Sequence, residues 1–377
     1  MEMTYQLTKK QGFFQKNIDS FVKQKIGPRV LETDQMEGFP QEVLDQLAGN
    51  RLLGMLVSKE AGGEGAGFFD FCLALEGIAK VCPTSALICA TQNMGVRVIS
   101  KEGTPDQKEI YLSKLMAGEA VFGYVLPQLE MLTLGLSDIP LSGSKEDEDF
   151  VFNGSECTII NGDAADVICL FAGNGDLAHG LLIEKGIQGL TVAEPKGMTG
   201  AEARCMCRAS LDNCRISGQD VLGKEGEGER IWGELLLEGS CLTAGIALGI
   251  GQGALDYAIK YSKQREQFGR QIAKFQAIRI LLAEMATKVE AVRHFVYRVA
   301  AALDQNSGDR YKLCSMAKTF SSKMIMEVTT DAIQVCGGYG YMKDYPLQKM
   351  MRNAQLTQVL NGSNPSHQLS TSKWILG

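Results

Sequence analysis

Ile278-Arg279-Ile280-Leu281-Leu282-Ala283-Glu284-Met285 opens a stretch in which Ile278, Leu282, Met285, Val289, Val292, Val296, Val299 and Leu303 step alternately by four and three residues. Side chains spaced this way share one face of an α-helix, and a seam of that length belongs to a helical bundle. Upstream, Gly245, Gly249 and Gly253 recur every fourth residue. They form a smooth face that lets another helix come close, expected at an oligomer contact. Helical spacing persists from about Ile231 onward, which sets a C-terminal four-helix-bundle domain at residues 229–377.

Before that bundle the period changes to two, as in Phe150-Val151-Phe152 and in Ala203-Arg204-Cys205-Met206-Cys207-Arg208-Ala209-Ser210-Leu211. Asn153-Gly154 and Asn161-Gly162-Asp163 read as turns between strands. Residues 121–228 are therefore expected to form a middle β-barrel domain. Residues 1–120 return to helical spacing, with Val43, Leu44 and Leu47 and with Phe71, Leu73, Leu75 and Ile78, and form an N-terminal α-helical domain. Gly62-Gly63-Glu64-Gly65-Ala66-Gly67 is a tight interhelical turn and not a phosphate loop, because no Lys-Ser/Thr follows it. The fold class is α+β in three parts.

With 377 residues, 45% of them hydrophobic, the chain can bury substantial cores. A net charge of −6 and no cluster of Lys and Arg exclude a phosphate-backbone partner. The opening Met1-Glu2-Met3-Thr4-Tyr5 lacks the basic start and apolar run of a signal peptide, and no unbroken apolar segment is long enough to cross a bilayer. A cytoplasmic protein without a membrane partner is expected. The 11 cysteines read as reduced, buried, small apolar residues. Cys205-Met206-Cys207 has no second pair, and His179, His294 and His367 are scattered, so no metal site is expected.

Two strings are more specific. Arg265-Glu266-Gln267-Phe268-Gly269-Arg270-Gln271-Ile272 is followed by Phe275-Gln276, and Gln334-Val335-Cys336-Gly337-Gly338-Tyr339-Gly340-Tyr341 by Asp344, Pro346 and Arg352. With the order of the domains, they make the chain resemble the acyl-CoA dehydrogenase family along essentially its whole length. The resemblance implies an FAD flavoprotein. Arg265 would meet the FAD pyrophosphate of a neighbouring subunit, with Phe268 and Gln276 beside it, and Gln334, Gly337 and Gly338 would lie along the adenosine half. A guanidinium offers forked donors to phosphate, and glycines let backbone amides approach. A homodimer or homotetramer, with the C-terminal helices making most contacts, is the implied assembly.

The same resemblance places a catalytic glutamate where this chain has Asn361, within Thr357-Gln358-Val359-Leu360-Asn361-Gly362-Ser363-Asn364. An amide cannot remove a substrate α-proton. Asn361 reads equally as a turn residue beside Gly362. Around it, Tyr124-Val125-Leu126-Pro127 keeps only the proline of the family's Thr-Glu-Pro loop, and Thr158-Ile159-Ile160-Asn161-Gly162 lacks the tryptophan and threonine of Trp-Ile-Thr-Asn-Gly. Gln128 to Leu136 is longer and more apolar than the family's turn. Leu237 and Ser240 stand where an Asp-x-x-Arg pair would anchor acyl-CoA. Some members place the base at the position of Gly239; Glu238 is one residue, about 100° of helix rotation, away, and reads as an exposed helix carboxylate. Ser363 keeps a hydroxyl for the cofactor. Three functions follow: an acyl-CoA dehydrogenase-like FAD enzyme with impaired dehydrogenation, a non-catalytic subunit paired with an active paralogue, or a reduced-flavin monooxygenase.

Overall fold

A computed structural model describes residues 7–30, 33, 38–126, 141–174, 177–193 and 206–377. Helices α1 (Lys9–Phe21), α2 (Gln41–Gly49), α3 (Phe68–Ala79), α4 (Pro83–Glu102) and α5 (Pro105–Ala117) come first. Strands β1 (Phe122–Leu126), β2 (Leu141–Glu146), β3 (Asp149–Ile160), β4 (Val167–Asn174), β5 (Leu177–Glu184), β6 (Leu190–Ala193), β7 (Met206–Ser217) and β8 (Val221–Leu222) follow. Then come α6 (Gly228–Gln264), the short strands β9 (Glu266–Gln267) and β10 (Arg270–Gln271), and α7 (Gln276–Asp304), α8 (Arg310–Cys336), α9 (Gly338–Tyr341), α10 (Leu347–Leu356) and α11 (Asn364–Leu376).

The helix signals are local. Thr8 with Gln11 and Thr104 with Gln107 each form a reciprocal capping box, and Pro105 sits in the first turn, where its missing N–H costs nothing. One cap is not local. α3 starts at Gly67, which has no side chain to cap it, and Asp304, at the end of α7, accepts from the amides of Phe68 at 2.5 Å and Phe69 at 3.0 Å. A methyl at Gly67 would stand 2.5 Å from that carboxylate. The same two helices share a buried network in which Arg293 donates to Glu76 Oε1 at 3.0 and 3.2 Å and Tyr297 donates to Oε2 at 2.5 Å. Met285, Val289, Val292, Val296 and Val299 of the expected seam are buried, and Ile278, Leu282 and Leu303 at its ends are partly so.

In the middle region the hydrogen-bonded path runs β6-β7-β3-β1-β4-β5-β8. β1 and β2 occupy the same lane between β3 and β4, at opposite ends of it. Among the described residues this sheet has two ends, β6 and β8, and the closure expected of a barrel is not in its pairing. Phe150 and Phe152 are buried as the alternation requires. Asn153-Gly154 is not a turn. β3 runs straight through it, and Asn153 Oδ1 accepts from the amide of Asn213, which has φ +46°, where the register between β3 and β7 slips. That bulge moves the inward positions of β7 from Ala209 and Leu211 to Cys214 and Ile216. Cys205 lies outside the described residues.

The glycine face of α6 packs within the chain, which corrects its assignment to an oligomer contact. A methyl at Gly249 would stand 2.5 Å from the carbonyl oxygen of Glu76, and one at Gly253 2.2 Å from that of Lys80. Both acceptors belong to α3 or its last turn, so N-terminal and C-terminal helices form one packed block. α6 also corrects the expectation about bilayer-length segments. Its glycines and alanines leave a window with a mean hydropathy of 1.3, and 78% of that window is buried inside the chain.

Gly253→Ala should therefore cost about 3 kcal/mol of stability, because α3 backbone cannot yield as a side-chain end would. Gly233→Ala, on the same helix with nothing within 4 Å of the added methyl, should stabilise by about 0.5–1 kcal/mol. Urea unfolding of the two variants checks both signs.

Candidate functional site

Two arrangements carry the expected site residues. The first is an open cleft of 830 Å³ between the β9–β10 hairpin and the α8–α9 junction, lined by Arg265, Phe268, Gln334, Gly337 and Gly338 among others. α6 ends at Arg265, whose guanidinium lies 5.5 Å from the centre of the Tyr339 ring. Among the described residues it has no ion-pair partner. The hairpin loop is Phe268-Gly269, with φ of +52° and +78°. A phenylalanine is costly in that conformation, and the loop presents its ring 92% exposed at the rim of the cleft. α8 stops at Gly337, whose φ of +58° and ψ of −139° suit glycine alone, and a methyl at Gly337 or Gly338 would meet nothing within 4 Å. Gln276, the first residue of α7, is exposed next to cleft-lining Phe275.

The second arrangement surrounds Asn361, which is 3% exposed and has φ +53°. An asparagine tolerates that left-handed backbone better than most residues. Its Oδ1 accepts from the hydroxyl of Tyr124 at 2.6 Å, while Nδ2 donates to the carbonyl of Gly239 at 3.0 Å and to Thr243 Oγ1 at 2.9 Å. The Thr243 hydroxyl itself donates to Gly239 O at 2.9 Å. Every polar atom of the amide is thus used, and only this orientation of it avoids setting oxygen against oxygen. Burial pushes the Tyr124 hydroxyl above its ordinary range, so it is a neutral donor. Gly239 makes room, since a methyl there would stand 2.8 Å from Asn361 Cγ and 2.7 Å from Met94 Cε. None of these residues lines the cleft.

The loop carrying Asn361 is clamped from below. His367 Nε2 donates to the Asn361 carbonyl at 2.8 Å, which leaves Nδ1 to accept from Ser315 Oγ at 3.1 Å. Burial and the nearby Lys318 charge push the His367 imidazole down to about 3. Lys318, wholly buried, donates to the carbonyls of Gln358 at 2.8 Å and Gly362 at 2.5 Å and to Asn364 Oδ1 at 3.1 Å. Burial holds it well below the ordinary lysine range. Ser363 caps α11, accepting from the Ser366 amide at 3.3 Å. Glu238, 16% exposed at its side chain, turns onto α4, where Arg97 grips both oxygens at 2.7 and 2.9 Å. It is less exposed than its position suggested.

Tyr124, Thr243, Lys318 and His367 were not legible as site residues. Tyr124 alone left a trace, as the residue directly before Val125-Leu126-Pro127. Val125 and Ile160 are buried and Thr158 half-buried. Pro127 and Gln128 to Leu136 lie outside the described residues.

Asn361→Asp would set a carboxylate oxygen against the Gly239 carbonyl. We expect a loss of about 2–4 kcal/mol at pH 7. The carboxyl would be held above its ordinary range, so its favourable contribution would be lost as pH rises, and the deficit against wild type should shrink towards pH 4. His367 has the opposite sign. Its folded value lies below the unfolded one, so stability present above pH 6.5 should fall by roughly 1 kcal/mol per pH unit as pH drops from about 6.5 towards 3. Urea unfolding of wild type and His367→Gln across that range measures the difference.

The family comparisons agree with this layout. The acyl-CoA dehydrogenase N-terminal domain model matches residues 8–119, and the C-terminal domain model residues 226–376. An acyl-CoA dehydrogenase of Bacillus subtilis is 33% identical over 98% of this chain and 99% of its own. Butyryl-CoA dehydrogenase from Megasphaera elsdenii superposes with a TM-score of 0.91 at 31% identity, covering all of both chains. A chain solved in work on the electron transferring flavoprotein of Acidaminococcus fermentans gives 0.92 at 33%, over 99% of this chain and all of that one. A three-part chain with this cleft and these full-length relatives belongs to the acyl-CoA dehydrogenase family.

Proposed function

We propose that this chain is an FAD-binding member of the family that does not carry out ordinary α,β-dehydrogenation of acyl-CoA. The observation that carries this reading is the closed hydrogen-bond knot of Tyr124, Asn361, Thr243 and Gly239. Residue 361 there is a structural amide whose oxygen and nitrogen both already have partners, and an amide is too weak a base to take a substrate proton. Leu237 and Ser240 supply no charged anchor for the CoA, and the Ser240 hydroxyl is spent on the Leu237 carbonyl at 2.8 Å.

The cleft, by contrast, fits the adenosine and pyrophosphate half of FAD. Arg265 offers a guanidinium with no ion-pair partner among the described residues, Gly337 and Gly338 leave open space that a side chain would fill, and Gln334 supplies an amide. When bound, FAD supplies a two-electron acceptor. Phe268 and Met342, both exposed, line the cleft with apolar surface that a neighbouring subunit would cover. This favours a homodimer or homotetramer, or a heteromer in which the chain lends Arg265 to FAD held mainly by an active paralogue.

The absorbance spectrum of the freshly purified protein, from the near ultraviolet to the blue, separates these readings. A flavin spectrum supports FAD held by this chain. A colourless protein that gains FAD only when co-expressed with a paralogue supports the heteromer. In either case Arg265→Ala should lower flavin content severalfold, and unchanged content would remove that residue's role. Wild type and Asn361→Glu should both fail to reduce dye with short, medium or long acyl-CoAs, since one correct group among several missing ones restores little. Brisk turnover by either would overturn the proposal.

A further inference from the structure

Cys72 on α3 and Cys241 on α6 are wholly buried, with their sulfurs 3.9 Å apart, the contact distance of two reduced thiols. The backbones run close at the same place. Gly245, one turn beyond Cys241, faces Cys72, and a methyl there would stand 3.5 Å from Cys72 Sγ and 3.8 Å from its Cα. A disulfide needs Cα atoms roughly 4.4–6.8 Å apart, and the approach of the two helices across Gly245 brings their backbones close at this place. We propose that Cys72 and Cys241 form a latent disulfide that, on oxidation by a hydroperoxide, staples α3 to α6 two residues beyond Gly239 of the Asn361 knot.

The consequence follows from position. Cys241 lies two residues beyond Gly239, whose carbonyl receives both Asn361 and Thr243. A covalent link at Cys241 ties that segment to the N-terminal helices and closes a ring across 169 residues of chain. In the packed state both thiols are held above their ordinary range, Cys72 by its contact with Cys241 and by burial, Cys241 by burial against the opposing effect of Cys72. Reaction therefore proceeds when the α3–α6 seam opens locally. The balance is complete with the peroxide: one sulfur attacks an oxygen to give a sulfenic acid, the second displaces that oxygen as water, and two thiols plus hydrogen peroxide become one disulfide and two waters.

This inference is independent of the proposed function. The test is hydrogen peroxide treatment of the full-length reduced protein at increasing temperature below its Tm, followed by digestion without reductant and mass spectrometry. A peptide pair linking Cys72 to Cys241 is expected, with a Tm raised by several degrees and restored by dithiothreitol. Cys72→Ala and Cys241→Ala should lose the pair and the Tm rise while other cysteine modifications persist. Oxidation of the remaining thiols with no Cys72–Cys241 pair, a link to Cys314 in its place, or a linked protein with unchanged Tm would each overturn it.

Discussion

The contact on which the rest depends is the backbone-to-backbone approach of α6 and α3. Gly249 and Gly253 leave no room for a side chain against the carbonyls of Glu76 and Lys80, so the position of α6 is set by main chain and not by adjustable side chains. Asp304 and Glu76 lock the same block from the other side, one by capping α3 and the other by receiving Arg293 and Tyr297. A long helix fixed in this way carries Gly239 to Asn361 at one end and delivers Arg265 to the cleft at the other. Its dimensions are rigid because buried backbone carbonyls have nowhere to go.

From that frame the two arrangements diverge in character. The cleft is open, holds Arg265 without an ion-pair partner among the described residues and keeps a strained aromatic on display, features that cost stability unless a ligand or subunit meets them. The Asn361 knot is closed and saturated. It resembles the polar centre of a core: each donor has an acceptor, His367 and Lys318 support the loop beneath it, and removing one partner would leave others orphaned. One fold thus holds an open cleft around Arg265 and a closed polar centre around Asn361.

Much of this was legible from the chain. The seam from Ile278 to Leu303, the two-residue period of β3 and β7, and the motifs at Arg265 and Gln334 each depend on local spacing, and local spacing survives in a sequence. The glycine face of α6 was legible as a close contact but not as to whose, because small residues say how near a neighbour comes and not which neighbour it is. Asn153-Gly154 misled as a turn, since the same conformational freedom serves a bulge once Asn213 pairs with it. The knot was hidden for a different reason. Tyr124 and Asn361 are 237 residues apart, and nothing in a tyrosine on an apolar strand reveals that its hydroxyl ends on an asparagine. The sequence shows that position 361 is an amide; its hydrogen bonds to Tyr124, Gly239 and Thr243 exist only in the folded chain.

The central claim is that residue 361 no longer meets a substrate proton, and the most direct measurement is exchange of that proton itself. Butyryl-CoA incubated in D2O with a stoichiometric amount of the protein can be followed by NMR at its α-carbon, with or without added FAD. The account predicts exchange no faster than in a protein-free control. Accelerated exchange that disappears in Asn361→Ala would contradict it.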